Sequence, residues 1–155
     1  MTKYILYTDG AARGNPGPAG AGAYICTPDG KCVAEIAEYL GKTTNNVAEY
    51  QGLLFGLKKL VELGAKEVEI RADSELMVKQ LKGEYRVKHP NLKPLFVEAQ
   101  ALLKKIPSYS IKHVYREMNK DADRLSNQAI DKLGGASPLP TLTLFAASPK
   151  RRREI

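Results

Sequence analysis

Four acidic side chains fall where a folded chain could bring them together. Asp9 ends an alternating apolar run, Tyr4-Ile-Leu-Tyr-Thr-Asp9, and Asp73 ends a second one that contains Val68, Ile70 and Ala72. Glu49 falls in the first turn of a helix opened by the cap-like cluster Thr43-Thr-Asn-Asn46, and Asp123 in the first turn of a helix opened by Asn119. Open α/β sheets bind ligands at the carboxyl ends of their strands. If the first and fourth strands are neighbours, all four groups converge on one rim. Two carboxylates about 4 Å apart repel by roughly 4 kcal/mol at an effective dielectric near 20. Divalent cations remove that cost, and an all-oxygen site suits magnesium or manganese. Two such ions about 4 Å apart can activate a water and stabilise the leaving oxygen of a phosphodiester.

Each carboxylate also has an ordinary structural reading. Asp9 before Gly10 could be a turn residue, and Glu49 could close a capping box begun by Asn46. Asp73 could cap the helix that follows it, and Asp121 with Asp123 could complement a helix N-terminus. Taken together, those readings need four coincidences. The sequence has no nucleophile elbow, and its Gly-rich stretch at 10–22 lacks the Gly-Lys-Ser/Thr ending of a phosphate loop. Cys26 and Cys32 flank the expected turn Thr27–Lys31 and have no further ligand at zinc spacing. Two reduced thiols are expected; a cross-strand disulfide is the alternative.

The elements that must position these groups read β-β-β-α-β-α-α-β-α. Tyr4–Asp9 is a strand, Gly10–Pro18 a loop by its Gly and Pro content, and Ala19–Thr27 with Lys31–Leu40 a hairpin. Val47, Tyr50, Leu53, Leu54, Leu57, Leu60 and Val61 form a helical stripe that Gly64 closes. A helix is expected over Ser74–Leu81 and another from the Pro90/Pro94 region to Lys105. Ser110–Tyr115 is the fifth strand, and Ala122, Leu125, Ala129 and Leu133 give the last helix its stripe. This order predicts an α/β fold: a mixed sheet with helices on both faces.

At 155 residues, 43% hydrophobic and 26% charged, the chain has the composition of one globular domain. No apolar run reaches the length that spans a bilayer, and the N-terminus lacks signal-peptide shape, so a cytoplasmic monomer away from membranes is expected. Net charge is +7, of which Lys150–Arg153 against Glu154 supplies a local share. That excess leans toward a polyanionic partner, though only weakly.

Four segments carry a closer resemblance. They are Thr8-Asp-Gly-Ala-Ala-Arg-Gly-Asn-Pro-Gly-Pro-Ala-Gly-Ala-Gly22, Thr43-Thr-Asn-Asn-Val-Ala-Glu-Tyr50, Ala72-Asp-Ser-Glu-Leu-Met-Val-Lys-Gln80 and Asn119-Lys-Asp-Ala-Asp-Arg-Leu-Ser-Asn127. Their sequence and order resemble the type 1 ribonuclease H family. The resemblance covers about residues 2–133. It implies a ribonuclease H-like fold, with a five-stranded mixed sheet of three antiparallel and two parallel strands. It also implies a catalytic domain at 1–133, followed by a tail at 134–155 in which 139–145 could form an edge strand and 150–153 a basic end.

The resemblance implies endonucleolytic cleavage of the RNA strand of RNA–DNA hybrids, leaving 5′-phosphate and 3′-hydroxyl ends. The cofactor would be two Mg2+ ions, with Mn2+ as substitute, held by Asp9, Glu49, Asp73 and Asp123. Asn15 and Asn45 match substrate contacts near the scissile site, and Thr44 matches a phosphate contact to the DNA strand. Backbone groups around Gly10, Ala11 and Ala12 match those that read RNA 2′-hydroxyls. Glu75 stands where the family often has Gln, and so enters as an altered RNA contact.

Two departures stand out. The stretch Arg116–Lys120 contains no histidine where many members carry a catalytic one. Arg116 matches the residue used by a His-less branch, Glu117 is its neighbour, and His113 is expected to be structural. The chain also has no Trp and no basic handle between its helices; Lys82–His89 mixes bases with Tyr85 and could grip the DNA strand instead. Double-stranded RNA is a further substrate consistent with Arg116. The alternatives are another nuclease of the same superfold, such as a 3′–5′ exonuclease or junction resolvase, and a catalytically silent hybrid-binding module.

Overall fold

In the computed structural model, residues 3–134 are described; the suggested edge strand at 139–145 and the basic end at 150–153 lie outside them. Five strands form one sheet in the order β3-β2-β1-β4-β5. They are β1 (Lys3–Ala12), β2 (Gly17–Cys26), β3 (Cys32–Thr43), β4 (Glu67–Ala72) and β5 (Ser108–His113). The first three pair antiparallel, and β1–β4 and β4–β5 pair parallel, as the resemblance implies. Helices α1 (Asn45–Glu62), α2 (Glu75–Leu81), α3 (Lys93–Leu103) and α4 (Lys120–Ala129) complete the order, with a 3-10 turn at Arg116–Met118. A π-type turn at Ile130–Gly134 continues α4. No helix among the described residues is long and apolar enough to cross a membrane.

The helical stripe of α1 packs Tyr50, Leu53, Leu54, Leu57 and Leu60 onto Leu6, Ile25, Val68 and Ile70, all fully buried or nearly so. On the other face, α4 lies against β1, β2 and β3. It approaches so closely that a Cβ on Gly22 would sit 2.4 Å from Ala122 O. Gly22→Ala must therefore push α4 off the sheet. It is expected to destabilise the protein by about 3 kcal/mol, read as a lower urea midpoint at unchanged slope.

Several boundaries differ from the sequence reading, each for a physical reason. Gly10–Pro18 is mostly not a loop: β1 and β2 pair through Ala12↔Ala19, leaving only 13–16 as the connection. The glycine at position 10 marks a close helix approach rather than a turn, since a Cβ there would lie 2.2 Å from Ala48 C. Helix α1 is capped by Thr44, whose Oγ1 accepts the Val47 N–H, so Asn46 is already inside the helix. Glu49 is therefore the fifth helical residue, beyond the first turn, and cannot be the closing residue of a capping box. The fifth strand spans Ser108–His113, in register with β4, rather than Ser110–Tyr115. Cys26 and Cys32 are opposite one another across β2 and β3, and both are free thiols.

Candidate active site

Parallel pairing places Thr8 level with Ala72, so Asp9 and Asp73 leave the same rim side by side. Helix α1 runs over β1 close enough to bring Glu49 to them. One carboxylate oxygen each from Asp9, Glu49 and Asp73 lie within 4.8 Å of one another. Asp123, in the first turn of α4, approaches from the opposite sheet face, near enough for its charge to bear on Asp9. Asp9 thus belongs both to the cluster with Glu49 and Asp73 and to the pair with Asp123. All four line one cleft of about 350 Å³ together with Gly10, Ala11, Ala12, Asn45 and Arg116.

Packing acids this tightly changes their chemistry. Asp9 is only 7% exposed. Burial pushes its carboxyl up to about 8, with the charges of Asp73 and Asp123 adding to the effect and the Gly10 N–H bond opposing it. Burial pushes Glu49 up to about 7, reinforced by Asp73 and opposed by a hydrogen bond from Ser74. Arg116 is the single cation lining the cleft; it is exposed and makes no ion pair among the described residues. A desolvated, all-oxygen donor set with surplus negative charge fits a hard divalent cation.

The loop and helix start that flank the carboxylates lock each other. Ala12 N–H donates to Asn45 Oδ1 at 2.8 Å, and Asn45 N–H donates to Asn15 Oδ1 at 3.0 Å. Both amide oxygens are thereby used inside the protein, which turns the NH2 groups into the donors on offer. Thr44 Oγ1 is engaged as the cap of α1. Because β4 stops at Ala72, the edge of β1 opposite β2 has no strand partner among the described residues from Asp9 to Ala12. Glu75 is not brought into the cleft: its carboxylate pairs with Lys79 at 3.2 Å on the outer side of α2. His113 is exposed at the end of β5, edge-on to the Tyr115 ring, and does not line the cleft either.

The structure adds residues that the sequence reading assigned elsewhere. Ser74 caps α2 by accepting the Met77 N–H and also bonds Glu49. Asn127 Nδ2 donates to Asp123 O at 3.0 Å and to Asp123 Oδ1 at 3.2 Å, while its Oδ1 accepts from Arg13 at 3.2 Å. Asn119 makes no cap bond, and its amide turns inward instead. The signal for Ser74 and Asn119 was masked, because Ser and Asn beside a helix start read first as caps, whereas Asn127 lies inside α4, one turn after Asp123.

Comparison with known proteins agrees with this geometry. A family model described as "Reverse transcriptase-like" matches residues 7–129. The chain is 48% identical over 130 residues to a bifunctional protein of Mycobacterium tuberculosis, a match covering 83% of this chain and 36% of that protein. It is 43% identical over 125 residues to ribonuclease HI of Halobacterium salinarum, covering 81% of this chain and 63% of the relative. The chain thus spans less than two thirds of the length of both relatives. A ribonuclease H of Erythrobacter litoralis matches at 33% over 146 residues, covering 84% of this chain and 98% of its own. Among solved structures, LC11 ribonuclease H1 in complex with an RNA/DNA hybrid superposes with a TM-score of 0.80 at 46% identity, covering 83% of this chain and 97% of that one. Sheet order, rim carboxylates and these matches agree, and the chain belongs to the type 1 ribonuclease H family.

Proposed function

We propose that the protein is an endoribonuclease that hydrolyses the RNA strand of RNA–DNA hybrids with two Mg2+ ions, leaving 5′-phosphate and 3′-hydroxyl ends. The observation that carries this reading is the convergence of Asp9, Glu49, Asp73 and Asp123 in one cleft, against the single cation Arg116 in its lining. Asp9, Glu49, Asp73 and Asp123 would hold the ions, with Asp9, Glu49 and Asp73 the closest set of oxygens. Bound divalent ions would supply charge neutralisation, a nucleophilic water at neutral pH and stabilisation of the leaving oxygen.

The protein's own groups do the rest. Asn15 and Asn45 present NH2 donors beside the carboxylates, held by the bonds that occupy their oxygens. The open edge of β1 at Gly10–Ala12 offers backbone groups that can meet a 2′-hydroxyl, the atom by which RNA differs from DNA. Arg116, which lines the cleft, would attract a phosphate before reaction and draw it off afterwards. Thr44, the cap of α1, would meet the DNA-strand phosphate. Lys82, Arg86 and Lys88 follow α2, where Lys79 lies 5.0 Å from the centre of the exposed Tyr85 ring. Together they form a basic aromatic rim suited to the partner strand. Glu75, whose exposed pair with Lys79 is weak, stays an altered RNA contact outside the carboxylate cleft. The hybrid-bound LC11 enzyme, at 46% identity, supports the same substrate class here.

The test uses uniform RNA–DNA hybrid, duplex RNA and duplex DNA with Mg2+, and analyses the ends of any products. Internal cuts in the RNA of the hybrid, with 3′ ends that a polymerase extends directly, are expected. Shortening only from one end would favour an exonuclease of the same superfold, and binding without cutting would favour a silent module. Cutting of duplex RNA at a comparable rate would widen the substrate class.

A further inference from the structure

Asn119 stands directly before α4 yet does not cap it. Its side chain makes no bond to the first turn, and its backbone sits at φ −123°, ψ 32°. The side chain is fully buried. Nδ2 donates to Thr8 O at 2.9 Å and to Asp73 Oδ2 at 3.2 Å, while Oδ1 has no partner among the described residues. An Asn at this position would ordinarily satisfy helix N–H groups, and a buried amide oxygen left idle is unfavourable. Local helix preference is overridden here, which is the pattern of a residue that serves a site.

Its main chain makes two further ties. Asn119 N–H donates to Arg116 O at 2.9 Å, closing the turn that carries Arg116, and Asn119 O accepts the Asp123 N–H at 3.1 Å. One residue therefore joins β1 next to Asp9, the Asp73 carboxylate, the Arg116 turn and the first turn bearing Asp123. The choice of an amide is chemically apt. A Lys or Arg in its place would neutralise Asp73 and compete with a metal ion, whereas a neutral donor orients the carboxylate and leaves its charge intact.

We propose that Asn119 is a positioning residue of the divalent-cation site, holding Asp73 by Oδ2 in the orientation that faces Asp9 and Glu49. The proposal rests on reading the cleft as a metal site. It is tested on the full chain by titrating Mn2+ calorimetrically without nucleic acid, alongside urea unfolding and hybrid affinity in chelator. Asn119→Ser removes the amide but can cap α4, and so preserves the fold if Asn119→Ala does not. Mn2+ affinity is expected to fall by about 10- to 100-fold in the serine variant, with hybrid affinity unchanged and cleavage regained at raised Mn2+. A folded variant with parental Mn2+ affinity overturns the proposal, whatever its stability. A parent chain that binds no Mn2+ overturns both readings. One that binds Mn2+ but cuts no hybrid overturns only the activity, since the binding comparison still decides the role of Asn119.

Discussion

Asp9→Asn is expected to abolish hybrid cleavage while making the metal-free protein more stable at pH 8. Asp9 is the most buried of the four carboxylates and the one on which the charges of Asp73 and Asp123 both bear, so its loss removes the central ligand of the proposed metal site. Asn keeps the shape and an Oδ1 that can still accept the Gly10 N–H, a bond of 2.8 Å in the parent. What disappears is a charge in a place where burial and two neighbouring acids oppose it. We expect single-turnover cleavage to drop by about 10³-fold or more, equivalent to roughly 4 kcal/mol of transition-state stabilisation. In chelator at pH 8 the urea midpoint should rise, because the variant has one fewer buried charge. An active variant, or one less stable than the parent in chelator, would contradict this account of the cleft.

The same repulsion predicts an inverted pH profile for the metal-free protein. Asp9 and Glu49 have proton affinities raised by folding, to about 8 and about 7 from ordinary values of 3.8 and 4.5. Between those limits the native state holds more protons than the unfolded chain, so stability falls as pH rises. The contribution is complete below about pH 4 and is lost as pH climbs through 7 to 8. Each tenfold shift in proton affinity corresponds to about 1.4 kcal/mol, and relaxation of the cleft will reduce the sum, so a loss of a few kcal/mol between pH 5 and 8.5 is expected. Millimolar Mg2+ should restore most of it at pH 8.5 and little at pH 5, where protons compete for the same oxygens. Thermal unfolding across that range, with and without Mg2+, checks both signs. A metal-free protein that grows more stable toward pH 8.5 would show that the carboxylates are not held as described.

Much of this was legible in the amino-acid sequence, because the signals were periodic. The stripe from Tyr50 to Leu60 and the alternation of Val68, Ile70 and Ala72 placed α1 and β4, and the end of β4 marked Asp73; Asp9, expected at a strand end, lies inside β1 at the level where β4 stops. Illegible were features in which one residue type serves two purposes. Glycine at 10 looks like turn chemistry, yet it lies in a strand, and at 10 and 22 alike the missing side chain is what admits a helix at van der Waals range. Asn119 looks like a cap, and only the fold reveals that its amide faces Thr8 and Asp73. Thr44 and Asn46 are both plausible caps, and choosing the wrong one put Glu49 in the first turn. Glu75 follows Asp73 by two positions, but the geometry of α2 turns it outward to Lys79.

The most direct test of the central claim is the rate of RNA cleavage in a hybrid by the full chain, measured from chelator into millimolar Mg2+. The carboxylate cleft predicts no internal cuts in chelator and a rate that climbs with Mg2+ to saturation. Undiminished cutting in chelator, or none at any Mg2+ or Mn2+ concentration, would contradict it.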